Sequence, residues 1–156
     1  MATNSSTQQR TESHDPWQCL LRGHAAVRRS IASQLQTAHD LTVMEYEALV
    51  HLSKAEGKSM RRVDLAESLQ LTASGVTRLL EGLQKRELVD KAVCSWDGRV
   101  SYAVLTPTGQ KKVEKASGAH LAAVRELFEE RYTRAELATL ADLLARLPGA
   151  TGGPTV

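Results

Sequence analysis

The sequence predicts a mainly α-helical fold with a small β-hairpin, and three observations lead to this prediction. First, capping signals and apolar residues at helical spacing mark four helices, near 16–38, 42–55, 107–131 and 134–147. Second, two shorter amphipathic stretches, 61–69 and 72–86, are joined by a very short link. Third, β-branched runs flank Asp97-Gly98, and this dipeptide in that setting is a strong hairpin signal.

The starts of the four helices are each marked by a residue pair that satisfies free backbone N–H groups. Two pairs place a cap before a proline, and two are capping boxes. In chain order they are Asp15–Pro16, Thr42–Glu45, Thr106–Pro107 and Thr133–Glu136. Residues 1–14 and 148–156 are polar or rich in glycine, so we expect both to be disordered tails.

The bulk composition fits one domain with an aliphatic core. The chain has 156 residues, only 4% of them aromatic, and a formal net charge of +2. A mildly basic protein can bind nucleic acid, but the placement of its charges must decide whether it does. Two cysteines without a CxxC pair, and the lack of a signal sequence or a long apolar run, predict a cytoplasmic protein that does not contact membranes.

The order of helix, short turn, helix and hairpin predicts a winged helix-turn-helix over residues 42–106. In such a unit the second helix enters the major groove of DNA. The first turns of helix 72–86 carry residues suited to base edges, to phosphates and to close backbone approach: Thr72, Ser74, Gly75, Thr77 and Arg78. We therefore predict double-stranded DNA as the partner.

The hairpin and its surroundings supply further candidate contacts. Arg99 can enter a minor groove, and Asp97 can orient its guanidinium group. Six basic residues nearby in the sequence are candidates for phosphate contacts: Lys58, Arg61, Arg62, Lys85, Arg86 and Lys91. Residues 58–99 contain eight Lys/Arg and six Asp/Glu, a net charge of +2, so positioned contacts are expected rather than a strong basic field.

The helices at the two ends of the chain, in residues 15–41 and 107–147, have long apolar faces. These faces can pack within one chain as an ordinary core, or against a second copy. If they pack against a second copy, they are N- and C-terminal dimerisation helices.

Residues 65–109 resemble the MarR family of bacterial transcription regulators. The likeness rests on the helix-turn-helix pattern over 65–89 and on Asp97-Gly98-Arg99 followed by Leu105-Thr106 and Gly109. One departure is Glu87, where the family commonly has glycine before the Leu-Val pair. The resemblance implies a triangular homodimer on a palindromic operator, most often a repressor that a signal releases, with half-sites about 10 base pairs apart.

The signal is left open among three kinds. A small aromatic ligand between the dimerisation helices and the winged unit has six candidate contacts: Trp17, Arg22, His24, Arg28, His39 and Tyr46. Oxidation of Cys19 is an alternative, because one branch of the family senses peroxides through a first-helix cysteine. Zinc binding is the third kind of signal, but the histidines are scattered without a metal-ligand pattern, so we expect no metal and no cofactor.

A protein-interaction module and an enzyme are the two alternatives to a DNA-binding regulator. A winged helix can be a protein-interaction module, which would not need arginines directed at DNA grooves. An enzyme is not expected, because the sequence has no P-loop, no G-x-S-x-G and no dinucleotide-binding glycine pattern.

Overall fold

The computed structural model describes residues 5–93 and 100–148, with side chains from residue 14 onward. These residues form six α-helices, one 3₁₀ helix and three strands. In chain order they are α1 Ser5–His39, α2 Val43–Lys54, the 3₁₀ helix Glu56–Lys58, β1 Ser59–Arg61, α3 Arg62–Ser68, α4 Ala73–Lys85, β2 Val89–Val93, β3 Ser101–Leu105, α5 Pro107–Glu129 and α6 Arg134–Leu144. The predicted mainly helical winged fold is confirmed.

The three strands form one antiparallel sheet in the order β1-β3-β2. Val89 pairs with Leu105 and Val93 with Ser101, which gives the predicted hairpin, while Met60 of β1 pairs with Ala103 on the other side. Strand β1 was not predicted, because three residues are too few to show alternation. Cys94, Asp97, Gly98 and Arg99 lie outside the described residues.

Helices α2, α3 and α4 enclose the core together with the sheet, and α2 also packs on α5. The largest fully buried side chains of the core are Leu35, Leu41, Leu49, Leu52, Leu65, Leu83 and Val89. Helix α6 contains no buried residue, and α1 and α5 bury only part of their length within the protomer. The winged unit is therefore packed within the chain, whereas much of the apolar surface on the terminal helices remains exposed.

The first helix begins earlier than predicted. It starts at Ser5, and Pro16 lies inside it. The prediction of a disordered tail was therefore wrong for residues 5–14, although residues 1–4 are not described. Proline has a helical φ and sacrifices one backbone hydrogen bond, so a helix can continue through it when both sides favour helix. None of the helices in the described residues is long and apolar enough to cross a membrane.

The turns that end α3 and α4 both place a non-glycine residue in the left-handed region. Gln70 has φ 54° and Glu87 has φ 56°. After α4, the N–H of Glu87 donates to Gln84 O at 2.9 Å and that of Leu88 to Leu83 O at 3.0 Å. This is the Schellman arrangement that glycine usually completes. Glu87 thus keeps the cap at the cost of backbone strain.

Candidate nucleic-acid interface

Helix α4 presents a polar face to solvent at its N-terminus. Thr72 is the N-cap, and its hydroxyl accepts from the N–H of Gly75 at 3.1 Å and contacts the hydroxyl of Ser74 at 3.1 Å. The opposite face is anchored in the core by Val76, Leu80 and Leu83. Thr72, Ser74 and Arg78 are exposed, and Arg78 has no hydrogen-bond or ion-pair partner among the described residues.

Two of the predicted contact residues in α4 have local structural roles. The hydroxyl of Thr77 donates to Ala73 O at 2.7 Å and accepts a hydrogen bond from Arg62. A Cβ on Gly75 would lie 3.3 Å from the Thr72 hydroxyl, so the absence of a side chain relieves crowding at the cap. The outward group of candidates is therefore Thr72, Ser74 and Arg78, with Thr77 turned toward the flank of the helix.

The basic residues near α4 differ in what they already contact. Both Nε and Nη2 of Arg61 donate to Asp64, each at 2.7 Å, and this carboxylate raises the pKa of Arg61. Lys85 is exposed on the last turn of α4, and no ion pair holds it within the described part of the chain.

Arg86, at the C-cap of α4, joins three elements. Its Nη1 lies 3.1 Å from Glu45 Oε1, and its Nη2 lies 3.3 Å from Asp40 Oδ2 and also donates to Asp40 O. Glu45 uses its other oxygen to accept from the backbone N–H of Thr42 at 2.8 Å, at the start of α2. Arg86 thus ties the end of α4 to the corner between α1 and α2, a link that the sequence did not reveal.

A cavity of about 690 Å³ lies between α1, α2, α5 and α6. Of the predicted ligand-binding residues, three line it together with Cys19, namely His24, Arg28 and Tyr46, whereas Trp17, Arg22 and His39 do not. The remaining polar and aromatic wall, which was not predicted from the sequence, consists of Glu47, His120, Phe128 and Tyr132. Its walls are otherwise mainly aliphatic, which suits a small aromatic molecule.

Tyr46 and His120 form one wall of this cavity. Their ring centroids lie 5.2 Å apart, and the Tyr46 hydroxyl donates to Ser117 Oγ at 3.1 Å. Burial lowers the pKa of His120. His39 lies elsewhere, buried at the end of α1, where burial and then the charges of Lys112 and Lys115 lower its pKa. Among the described side chains, no three potential metal ligands come together.

Comparisons with known proteins agree with this fold. The MarR family model matches residues 39–99. AbsC, a MarR family transcriptional regulator from Streptomyces coelicolor, is 33% identical, and its crystal structure matches with a TM-score of 0.69 over 81% of this chain and 88% of AbsC. The chain belongs to the MarR family of transcription regulators.

Two other proteins show how far the likeness extends. The HTH-type transcriptional regulator YhbI of Bacillus subtilis (strain 168) is 31% identical over 78 residues, which are 50% of this chain and 49% of YhbI. The match thus spans about half the length of that relative. The MarR regulator Sco3205 of Streptomyces coelicolor, crystallised with DNA, is 23% identical with a TM-score of 0.78 over 85% of this chain and 83% of its own. At that identity it shows the MarR fold alone.

The MarR-like stretch from Leu105 to Gly109 has a structural explanation. The hydroxyl of Thr106 donates to Glu87 O at 2.7 Å and caps α5 by accepting from Gly109 N at 2.9 Å. A Cβ on Gly109 would lie 2.1 Å from Leu88 O and 2.8 Å from Leu105 Cδ1. Only glycine fits where α5 crosses the base of the hairpin.

Proposed function

We propose that this chain is a sequence-specific DNA-binding repressor that binds a palindromic operator as a homodimer and is released by a small aromatic ligand. The observation that carries DNA binding is the outward face of α4, where Thr72, Ser74 and Arg78 are exposed beside a helix N-terminus. Hydroxyl groups suit base edges and phosphates, and an arginine suits the O6 and N7 atoms of guanine. Asp97 and Arg99 are proposed as the wing contacts, on the sequence alone.

The proposal of a homodimer is supported by the apolar surface of the terminal helices. Trp17 is 56% exposed, Leu121 54% and Leu143 50%, and these residues come from α1, α5 and α6. Large side chains of this kind cluster on a monomer surface mainly where another surface covers them. Two copies joined through these helices would present two α4 helices, so the operator is expected to be two-fold symmetric.

Selection of bound fragments from the source genome tests the DNA-binding proposal and supplies the operator. Arg78→Ala is then expected to cost about 1–3 kcal/mol of binding free energy and to relax base preference at one position in each half-site. Lys85→Ala is the matched control, because it removes a charge from the same helix and should weaken binding equally on all sequences. Equal losses on operator and random DNA for Arg78→Ala would contradict its proposed role.

The proposal of release by a ligand is supported by the cavity between the terminal helices and the winged unit. Phenolic acids are the first compounds to test, because Arg28 and His24 can meet a carboxylate in a cavity whose lining is otherwise mainly aliphatic and aromatic, with Glu47 as its acidic side chain. Binding should raise the Tm of the wild type and should lower its affinity for the operator. Cys19 is exposed and lines the same cavity, which supports oxidation as a second candidate signal. Release by peroxide that Cys19→Ser abolishes would favour it.

A further inference from the structure

A small polar pocket of about 100 Å³ lies between α4 and the sheet, at the base of the hairpin. Arg62 of α3, Lys91 of β2 and Tyr102 of β3 reach it from one side. Thr77, Glu81 and Gln84 form the α4 side. We call it the wing-root pocket. It flanks the outward face of α4 without being part of it.

Arg62 is held at this pocket by a neutral partner. Its Nη2 donates to the hydroxyl of Thr77, which in turn donates to Ala73 O at 2.7 Å. Within the described residues, neither Arg62 nor Lys91 forms an ion pair. The neighbouring Arg61 differs, because Asp64 already neutralises it. Two cations without a carboxylate partner therefore converge on one half-enclosed polar space.

The placement of the pocket agrees with how a winged unit meets a duplex. If α4 enters the major groove and the hairpin enters the adjacent minor groove, the sugar-phosphate backbone that separates the two grooves passes between them. The wing-root pocket lies between α4 and the hairpin. We propose that it binds one backbone phosphate of the operator, with Arg62 and Lys91 as the charged donors; this inference rests on the proposed DNA-binding function.

The same contacts give Thr77 a role other than reading bases. Its hydroxyl donates its single hydrogen to Ala73 O and accepts from Arg62, so it fixes the guanidinium group at the pocket. Thr77 is thus a positioning residue for Arg62. Glu81 also lines the pocket, and its carboxylate repels a phosphate. Glu81→Gln is therefore expected to raise affinity for all DNA sequences.

The test measures operator affinity by fluorescence anisotropy from 50 to 300 mM salt. Each phosphate contact contributes about 0.9 to the slope of log K against log[salt], so losing this contact in both protomers of a dimer should reduce the slope by about 1.8. Arg62→Ala leaves Lys91 in place and should reduce the slope by part of that amount, and the Arg62→Ala/Lys91→Ala double variant by all of it. Affinity should fall roughly tenfold near 150 mM salt, with unchanged base preference. Arg125→Gln, which removes the charge of an exposed arginine on α5 outside the winged unit, is the control and should leave the slope nearly unchanged.

Thr77→Val keeps the branched shape of the side chain and removes the hydroxyl. It should reproduce part of the loss seen for Arg62→Ala, add little to it in the double variant, and be rescued by Thr77→Ser. A base preference altered by Thr77→Val would overturn the positioning role. Circular dichroism melts verify that each variant is folded at the assay temperature.

The two proposals fail in different ways. A folded wild-type protein that selects no DNA contradicts the proposed function. A wild type that binds its operator, together with an Arg62→Ala variant that retains both slope and affinity, overturns the wing-root pocket alone.

Discussion

Gly109→Ala is expected to be strongly destabilising, although alanine is normally the better residue in a helix. The added Cβ would lie 2.1 Å from Leu88 O, whereas an ordinary carbon–oxygen contact is about 3.3 Å or longer. The start of α5 must therefore move by more than about 1 Å, which strains the hydrogen bonds from Thr106 N and Oγ1 to Leu88 O, 3.2 and 3.1 Å long. Overpacking of this kind costs about 1–3 kcal/mol, and each weakened hydrogen bond adds about 1 kcal/mol.

The gain in helix propensity, about 1 kcal/mol, offsets part of this cost and leaves a net loss of about 2–4 kcal/mol. A protein of this size then loses about 5–15 °C in Tm. Circular dichroism melts and urea titrations measure it. Gly82→Ala in α4 is the control: its Cβ would meet only Glu45 Oε1 at 3.9 Å, so it should stabilise by up to about 1 kcal/mol. A Gly109→Ala variant as stable as Gly82→Ala would refute the steric argument.

Three further predictions follow from strain, ion pairing and burial. Glu87→Gly should stabilise the protein by about 0.5–1 kcal/mol, because it removes strain at φ 56° from an exposed position. Glu87→Ala should change the stability little, and thermal melts measure the difference between the two variants. Arg86→Met should lower the Tm and weaken DNA binding without altering the salt slope, because its charge is engaged by Glu45 and Asp40 rather than by phosphate; an altered slope would show a direct DNA contact. Because the pKa of His39 is lowered in the fold, the unfolded chain binds more protons at this residue than the folded chain does as the pH falls below about 6.5. The free energy of unfolding should therefore fall as the pH drops below 6.5, and His39→Gln should flatten that dependence in urea titrations.

Helix starts were predictable where the signal is local. The capping boxes at Thr42 and Thr133 and the cap at Thr106 were confirmed, because each depends on groups within three residues. The signal at Pro16 failed for a physical reason. A proline φ is compatible with a helix interior as well as with a first turn, so the preceding residues decide, and here they are helical.

Which basic residues form ion pairs and which do not could not be predicted, because pairing depends on contacts between residues that are distant in the sequence. Arg61 and Arg62 are adjacent and chemically identical, yet the first meets Asp64 three residues away and the second meets Thr77 fifteen residues away. Arg86 looked like a candidate phosphate contact until the fold brought Glu45, 41 residues away, to its guanidinium group. These charges can be counted from the sequence, but which of them remain unpaired depends on how α2, α3, α4 and the sheet pack.

The base of the hairpin connects the proposed ligand cavity to the proposed DNA interface. Leu88 O accepts from the N–H of Thr106 and shares the hydroxyl hydrogen of Thr106 with Glu87 O, and Gly109 leaves no space between α5 and the hairpin. Because no loop separates β3 from α5, a ligand that displaces α5 must also displace Lys91 and the wing root relative to α4. Thr106→Val removes the side-chain part of this link, whereas Thr106→Ser keeps it. The valine variant should bind the operator and respond less to ligand; an unchanged response would show that the signal travels by another route.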